Sequence, residues 1–198
     1  MRIEKIASLV YKDASVIDIG TDHCYLPIYL YKNNITKRVD GSDTSDHILA
    51  FARKNLKKYG LENDINLIVS DGFKNISKTY DIAVISGMGT ETIKHILNHD
   101  NLPHTLIISS HKNVYELRIF MYNLGYKIDL EEVVLENNIY YDIIRYIKET
   151  DNLSEYDLLV GKSNNEKYVK YLKNKYNKLY SVSKDIKYKK YLDIIEKK

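Results

Sequence analysis

The segment Val16-Ile17-Asp18-Ile19-Gly20-Thr21-Asp22-His23-Cys24-Tyr25-Leu26-Pro27 constrains the fold more than any other stretch of this 198-residue chain. A short apolar run ends in Asp-x-Gly, polar residues follow, and a helix begins. That is the strand, turn and helix with which a parallel α/β sheet opens a binding crevice. Glycine lets the backbone pass close to a ligand, and the carboxyl end of the strand faces the cleft. A dinucleotide fingerprint needs G-x-G-x-x-G to seat a pyrophosphate on the helix N-terminus. Here Asp22 stands where the second glycine would be, and its carboxylate repels phosphate. The turn suits a ligand without phosphates and with a cationic centre.

Strands and helices alternate over the first 150 residues. Arg2–Tyr11 reads as an amphipathic opening helix with Ile3, Ile6, Ala7, Leu9 and Val10 on its apolar side. Strands are expected at Ser15–Ile19, Arg38–Gly41, Ile65–Val69, Asp81–Ile85 and Thr105–Ser109. Helices are expected from about Tyr25 to Asn33, from Ser45 or Asp46 to Tyr59, from the end of the fourth strand to about His99, and from Val114 to Leu124. Gly60 and Gly125 stop two of them. Lys127–Leu135 and Ile139–Ile147 follow as strands joined by Asn137-Asn138, a tight hairpin turn. Such β-α units, closed by a hairpin, predict a mostly parallel sheet with helices on both faces and an antiparallel edge.

From Asn164 onward the period becomes helical. Tyr168, Val169, Tyr171, Leu172, Tyr176 and Leu179 recur at three and four residue intervals. Ile186, Tyr188, Leu192 and Ile195 resume the spacing after Ser181-Val182-Ser183, which predicts two helices in an antiparallel hairpin. The chain therefore divides into a main domain, residues 1–150, and a connector with a coiled-coil-like helical hairpin, residues 151–198. Residues 151–198 hold 12 lysines against 7 acidic residues, a balance of +5, and leave −2 for the rest. A lysine run is commonly a solvated face; beside an acidic domain it suggests a hold on a nucleic-acid backbone.

One cysteine, Cys24, cannot form an internal disulfide, and no cationic region with an apolar stretch opens the chain. Both point to a reducing cytoplasmic location. No apolar run nears the roughly 20 residues that span a bilayer, so no membrane contact is expected. No metal ligand set is expected either.

Chemistry-bearing residues fall at successive strand ends. Asp18 and Gly20 end the first strand. Asp43 follows the second, 25 residues after Asp18, where an acidic side chain can accept both hydroxyls of a ribose. Asp71-Gly72 ends the third, where a carboxylate can reach an adenine amino group. Ser86-Gly87-Met88-Gly89 ends the fourth, close to where a transferred group would sit. An isolated strand-end Asp is usually a turn or cap residue. Four such ends in order on one rim point instead to a binding crevice.

These residues resemble a known family. Asp18-Ile-Gly-Thr-Asp-His-Cys-Tyr-Leu-Pro27, the Asp71-Gly72 end, Ile85-Ser-Gly-Met-Gly89 and Asn113 are similar to the bacterial tRNA (adenine(22)-N1)-methyltransferase family, TrmK type. The likeness runs from the opening helix through the β-hairpin and resumes at Leu158-Leu-Val-Gly161. Ser86 and Thr90 stand where the family usually has a small residue and a glycine, and His111-Lys112-Asn113 where it commonly has Gln-Pro-Asn. The resemblance implies a class I, Rossmann-like methyltransferase domain with a seven-stranded sheet, S-adenosylmethionine as cofactor, and N1 of an adenine in tRNA as acceptor. Asp18, Gly20, Asp43, Asp71, Gly72, Ser86, Gly87, Met88 and Gly89 are then the expected cofactor-binding residues.

N1 of adenine already carries an exposed lone pair, so the enzyme needs alignment rather than a strong base. Attack moves positive charge onto the purine. A carboxylate beside it can stabilise that charge and take a proton from the exocyclic amine, which makes Asp22 the catalytic candidate. Asn113 is the second, as an amide that reads an adenine edge, against a plain helix cap. The fourth strand end also lacks the (Asn/Asp)-Pro-Pro-aromatic sequence of exocyclic-amine methylation. His23 is read as an orienting or capping residue, Cys24 as core, and Tyr25 as equally a base-stacking or a packing ring. Another RNA position, a small-molecule acceptor, and a non-catalytic cofactor-binding RNA module remain open alternatives.

Overall fold

Strands with apolar residues on both faces cannot leave either face in water, and the central strands of this chain are of that kind. The computed structural model describes residues 1–150 and 152–197. Its strands are β1 (Val16–Ile19), β2 (Val39–Asp43), β3 (Leu67–Val69), β4 (Ile82–Ser86), β5 (Thr105–Ser110), β6 (Lys127–Glu136) and β7 (Ile139–Ile147). They form one sheet in the order β3-β2-β1-β4-β5-β7-β6. The first five run parallel; β7 is antiparallel to β5, and β6 to β7. The expected mostly parallel sheet with an antiparallel edge is what forms. β1 sits between β2 and β4, so the strand order reverses there, and a crevice opens at the carboxyl ends.

Successive side chains of a strand point to opposite faces, which sorts the core into two layers. Val16, Val84 and Ile107 pack with Ile6 of α1 (Arg2–Ser8), Leu26 and Leu30 of α2 (Tyr25–Lys32), and Leu49, Ala52 and Leu56 of α3 (Asp46–Tyr59). Ile17, Ile85 and Ile108 pack on the other face with Ile93 and Leu97 of α4 (Thr90–Leu97) and Leu117 and Met121 of α5 (Val114–Asn123). Each fully buried Leu or Ile contributes roughly 1.5–3 kcal/mol, so both faces of the sheet are strongly held.

Several boundaries differ from the sequence reading, each for an identifiable reason. The first helix stops at Ser8 rather than Tyr11, as the Leu9 and Val10 amides turn back to Ile6 and Ala7. β2 continues through Ser42 and Asp43 because their backbones stay paired with Ile68 and Val69. β3 starts two residues late: the Asn66 amide is taken by the Asp40 carboxylate, with the Asn66 side chain on the same oxygen. Asn137 and Asn138 both adopt left-handed backbone, as a two-residue hairpin turn requires.

The C-terminal segment holds α6 (Glu155–Leu159), which the sequence reading left inside a connector, then α7 (Glu166–Ser183) and α8 (Ile186–Glu196). α7 runs straight through Ser181 and Ser183, whose hydroxyls donate back to the Lys178 and Leu179 carbonyls. The break falls instead at Lys184, in left-handed backbone, with Asp185 capping α8. Asp151 and Lys198, the ends of the second expected segment, lie outside the described residues.

The helices share a core with the sheet domain. Leu159, Tyr168, Leu172, Tyr176 and Ile194 pack against Tyr115, Val133 and Tyr140. Beneath them Arg118 is fully buried and donates to Glu131 and Asp142 at 2.6 Å each, and to the Leu158 and Leu159 carbonyls at 3.3 Å. The Tyr168 hydroxyl donates to the other Asp142 oxygen at 2.8 Å. Burial works against the Arg118 charge, but the Glu131 and Asp142 carboxylates outweigh it and push its pKa above the ordinary arginine value. Among the described residues no helix is long and apolar enough to cross a membrane, and no His, Cys, Asp and Glu cluster could hold a metal ion.

Candidate active site

At the end of β1 the chain must reverse beside β2, and Gly20 makes the turn with φ +76°. The Gly20 and Thr21 amides both donate to the Ser42 carbonyl, at 2.8 and 2.9 Å. Thr21 then drops onto β2, where a side chain at Gly41 would press to 2.9 Å of its Cγ2. From there the Thr21 hydroxyl donates to Asp18 at 2.7 Å. Thr21 and Gly41 are parts of the turn that the motif did not single out.

Asp22 and Cys24 both take left-handed backbone, φ 46° and 60°, which is uncommon without glycine. The Asp22 amide is held by Asp43 Oδ2 at 3.0 Å, while the Thr44 amide binds Asp43 Oδ1 at 2.8 Å. The Asp22 side chain is left 61% exposed, 3.7 Å from His23 Nε2. The backbone thus presents an acid to solvent at the mouth of the crevice. Cys24 is buried as the N-cap residue of α2, and burial pushes its thiol up to about 12. It is a core residue and not a nucleophile.

The crevice has a volume of about 440 Å³ and is lined by Asp18, Gly20, Asp22, Asp43, Ser86, Gly87 and Met88. Seven of the eleven expected site residues therefore meet in one cleft. Asp18 is buried at its floor. Desolvation, opposed by the Thr21 hydrogen bond and assisted by the Asp43 charge, pushes its pKa up to about 6. The side chain of Met88 lies across Gly20, where an added Cβ would fall 1.9 Å from its Cε. Arg2, Ile3 and Ile6 of α1 form part of the wall. The sequence reading took that helix for packing alone, since its apolar spacing is the same in either role.

Asp71, Gly72, Gly89 and Asn113 do not line this crevice. Asp71 ends β3 bonded to Lys74, with His95 Nε2 at 3.7 Å; the Lys74 ammonium holds its carboxyl below the usual carboxylate value. Gly72, at φ +59°, lies against α4, where an added Cβ would fall 3.3 Å from the Ile96 Cα, a packing role. Gly89 caps α4. Asn113 occupies the N-cap position of α5 without a side-chain capping bond and faces a separate cavity of about 190 Å³ between α5 and the C-terminal helices.

A doubly wound sheet with an acidic, glycine-cornered cleft at its switch point is the frame of a methyltransferase domain, and the family of that description matches residues 1–144. The chain belongs to the TrmK-type tRNA (adenine(22)-N1)-methyltransferase family within that class. It is 30% identical over 142 residues to the tRNA (adenine(22)-N(1))-methyltransferase of Bacillus subtilis, covering 69% of this chain and 59% of that one. It also resembles the solved structure of M. capricolum TrmK in complex with S-adenosylhomocysteine. That likeness has a TM-score of 0.88 and 32% identity, and covers 100% of this chain and 96% of the other.

Proposed function

We propose that this protein methylates N1 of adenine 22 in tRNA with S-adenosylmethionine as donor, and that it works in the cytoplasm. The observation that carries the reading is the gathering of Asp18, Asp22 and Asp43 around one glycine-cornered crevice without a phosphate-binding glycine pattern. Three carboxylates disfavour a phosphate and favour a cation. The crevice fits a cationic nucleoside for a second reason: the space above Gly20 is filled only by the flexible end of Met88, which can move aside.

When bound, S-adenosylmethionine supplies an electrophilic methyl group on a sulfonium sulfur. Asp43 would accept the ribose hydroxyls, and Asp18 would face the cationic part. Gly20, Ser86, Gly87 and Met88 would shape the floor, with Gly89 behind them. Asp71 and Gly72, at the neighbouring strand end, would border the donor's base. The exposed Asp22 carboxylate stabilises the charge that arrives on the purine and takes the proton of the exocyclic amine. Asn113 is the weaker candidate because it faces the second cavity.

The basic C-terminal helices would hold the tRNA backbone, with residues 1–150 as the catalytic domain and the remainder as the tRNA-holding segment. Incubation with labelled donor and total tRNA, followed by digestion, tests the whole reading. The expected product is 1-methyladenosine at position 22. A different methylated nucleoside, or none with an active donor, overturns it.

A further inference from the structure

α3 buries Leu49, Ala52 and Leu56 against the sheet and turns Phe51 the other way, 48% exposed. A lone surface phenylalanine means little. This one belongs to a line of rings that begins at the crevice. Tyr25, a wall of the crevice and 54% exposed, stacks on His23 with centroids 5.2 Å apart and planes 20° from parallel. His23 meets Phe51 at 5.4 Å, and Phe51 meets His47 at 6.1 Å. Asn55, one turn beyond Phe51, donates to the His23 carbonyl at 2.9 Å and locks the catalytic turn to α3. The row is therefore continuous with the candidate active site and rigid at its midpoint.

Its surroundings carry the opposite charge to a nucleic-acid backbone. Lys54 and Lys58 lie three and seven residues after Phe51 on the same exposed side of α3. Lys57 adds to the run, within a first 150 residues that are otherwise net acidic, while the Arg53 guanidinium is taken by the Asp46 carboxylate. Exposed rings flanked by lysines are the composition of a platform for unstacked bases.

We propose that Phe51 and His47, continuing from His23, form an outer stacking platform for the nucleobase next to the adenine that enters the crevice. The proposal rests on the tRNA reading above. An acceptor base must leave its own stack to reach the cofactor, and its neighbour then loses a stacking partner. Phe51 supplies a replacement, Lys54 and Lys58 take the adjoining phosphates, and the acceptor strand is splayed along a fixed path into the cleft.

The test uses the full chain and unmodified tRNA transcripts carrying 2-aminopurine at position 21 or 23. Phe51→Ala should weaken transcript binding by roughly 5- to 150-fold, the range for removal of one base–aromatic stack, while donor affinity and Tm stay as in the wild type. Phe51→Tyr should bind like the wild type, whereas Phe51→Leu, apolar but without a ring, should behave like Phe51→Ala. One of the two labelled positions should show fluorescence quenched by the wild type and less quenched by Phe51→Leu. Equal binding and quenching by the Leu and Tyr variants overturns the proposal even if position 22 is methylated normally. A change in sedimentation without a change in transcript affinity would mark a protein contact and overturn it as well. Absence of adenine methylation in the wild type would instead count against the underlying reading.

Discussion

The backbone amide of Asp22 is anchored on the carboxylate of Asp43, 3.0 Å away. The acid that ends β2 thereby fixes the turn carrying the acid that follows β1. In the proposed function donor capture and catalysis fall to different side chains, yet one hydrogen bond ties their positions together.

Asp43→Ala should accordingly do two things. It should weaken donor binding by about 1–3 kcal/mol, the scale of a missing hydrogen bond to a charged group, and it should release the Asp22 turn. Asp43→Asn keeps an oxygen for the Asp22 amide and should retain more methyl transfer at saturating donor. Calorimetric titration and single-turnover rates separate the two effects; unchanged affinity in a folded Asp43→Ala protein removes Asp43 from the ribose site.

Asp22→Asn keeps the backbone and the size of the side chain. Donor affinity should stay within a few-fold, and single-turnover transfer should fall by about 100-fold or more, as expected when a general base is removed. Near-normal transfer would eliminate the proposed role. Asn113→Ala, at the edge of the other cavity, should have a smaller effect.

Gly20→Ala places a methyl group against Met88 and a side chain at φ +76°. Donor binding should be abolished and Tm lowered. Adding Met88→Ala relieves the collision but not the backbone strain, so the double variant should recover part of the Tm. Full recovery would show that the collision alone, and not conformation, requires glycine at this position.

Asp18 gives the site a pH dependence. With its folded pKa near 6, a cationic donor must displace a proton below that value. Affinity should climb by up to about tenfold per pH unit in the acidic range and level off above it. Its contribution to folding has the opposite trend: because the folded pKa is raised, that contribution is full below the ordinary carboxylate value of 3.8 and is lost as pH rises through about 6. Asp18→Asn should flatten both profiles; a wild-type affinity that does not change between about pH 5 and 7 rules out ionisation of Asp18 on binding.

Removing residues 163–198 would strip Tyr168 from Asp142 and uncover the apolar face beneath α7. The truncated chain should melt early, so failure of that chain to bind tRNA would prove nothing. Replacing the exposed Lys170, Lys178 and Lys189 by glutamine at full length is the informative change. Tm should hold, and the salt dependence of tRNA binding should shallow by roughly 0.7–0.9 for each phosphate no longer neutralised. An unaltered slope and affinity leave these lysines as a solvated face.

The succession of strands and helices along the chain and the crevice at a strand end were legible because they depend on local patterns: apolar runs in β1, β4 and β5, and Asp-x-Gly after the first of them. Asn137-Asn138 named its own turn type. What stayed hidden depends on partners distant in sequence. Nothing near Ser181 says that its hydroxyl will bond within the helix, and nothing near Asn66 says that Asp40 will take its amide. Asn113 and Asp71 sat at plausible strand ends, but the crevice forms nearest the β1–β2–β4 switch point, which only the assembled sheet defines. Arg118 did leave a signal: Val114, Leu117, Arg118 and Met121 share the buried phase of α5, and a cation in that phase demands partners.

That arginine also sets an order of events during synthesis. Its carbonyl partners at Leu158 and Leu159 lie 40 and 41 residues downstream. At about 5–20 residues per second the ribosome takes on the order of 2–8 seconds to deliver them. Through that interval β6 and β7 bring in Glu131 and Asp142, and the guanidinium's site is finished only when the α6 carbonyls arrive.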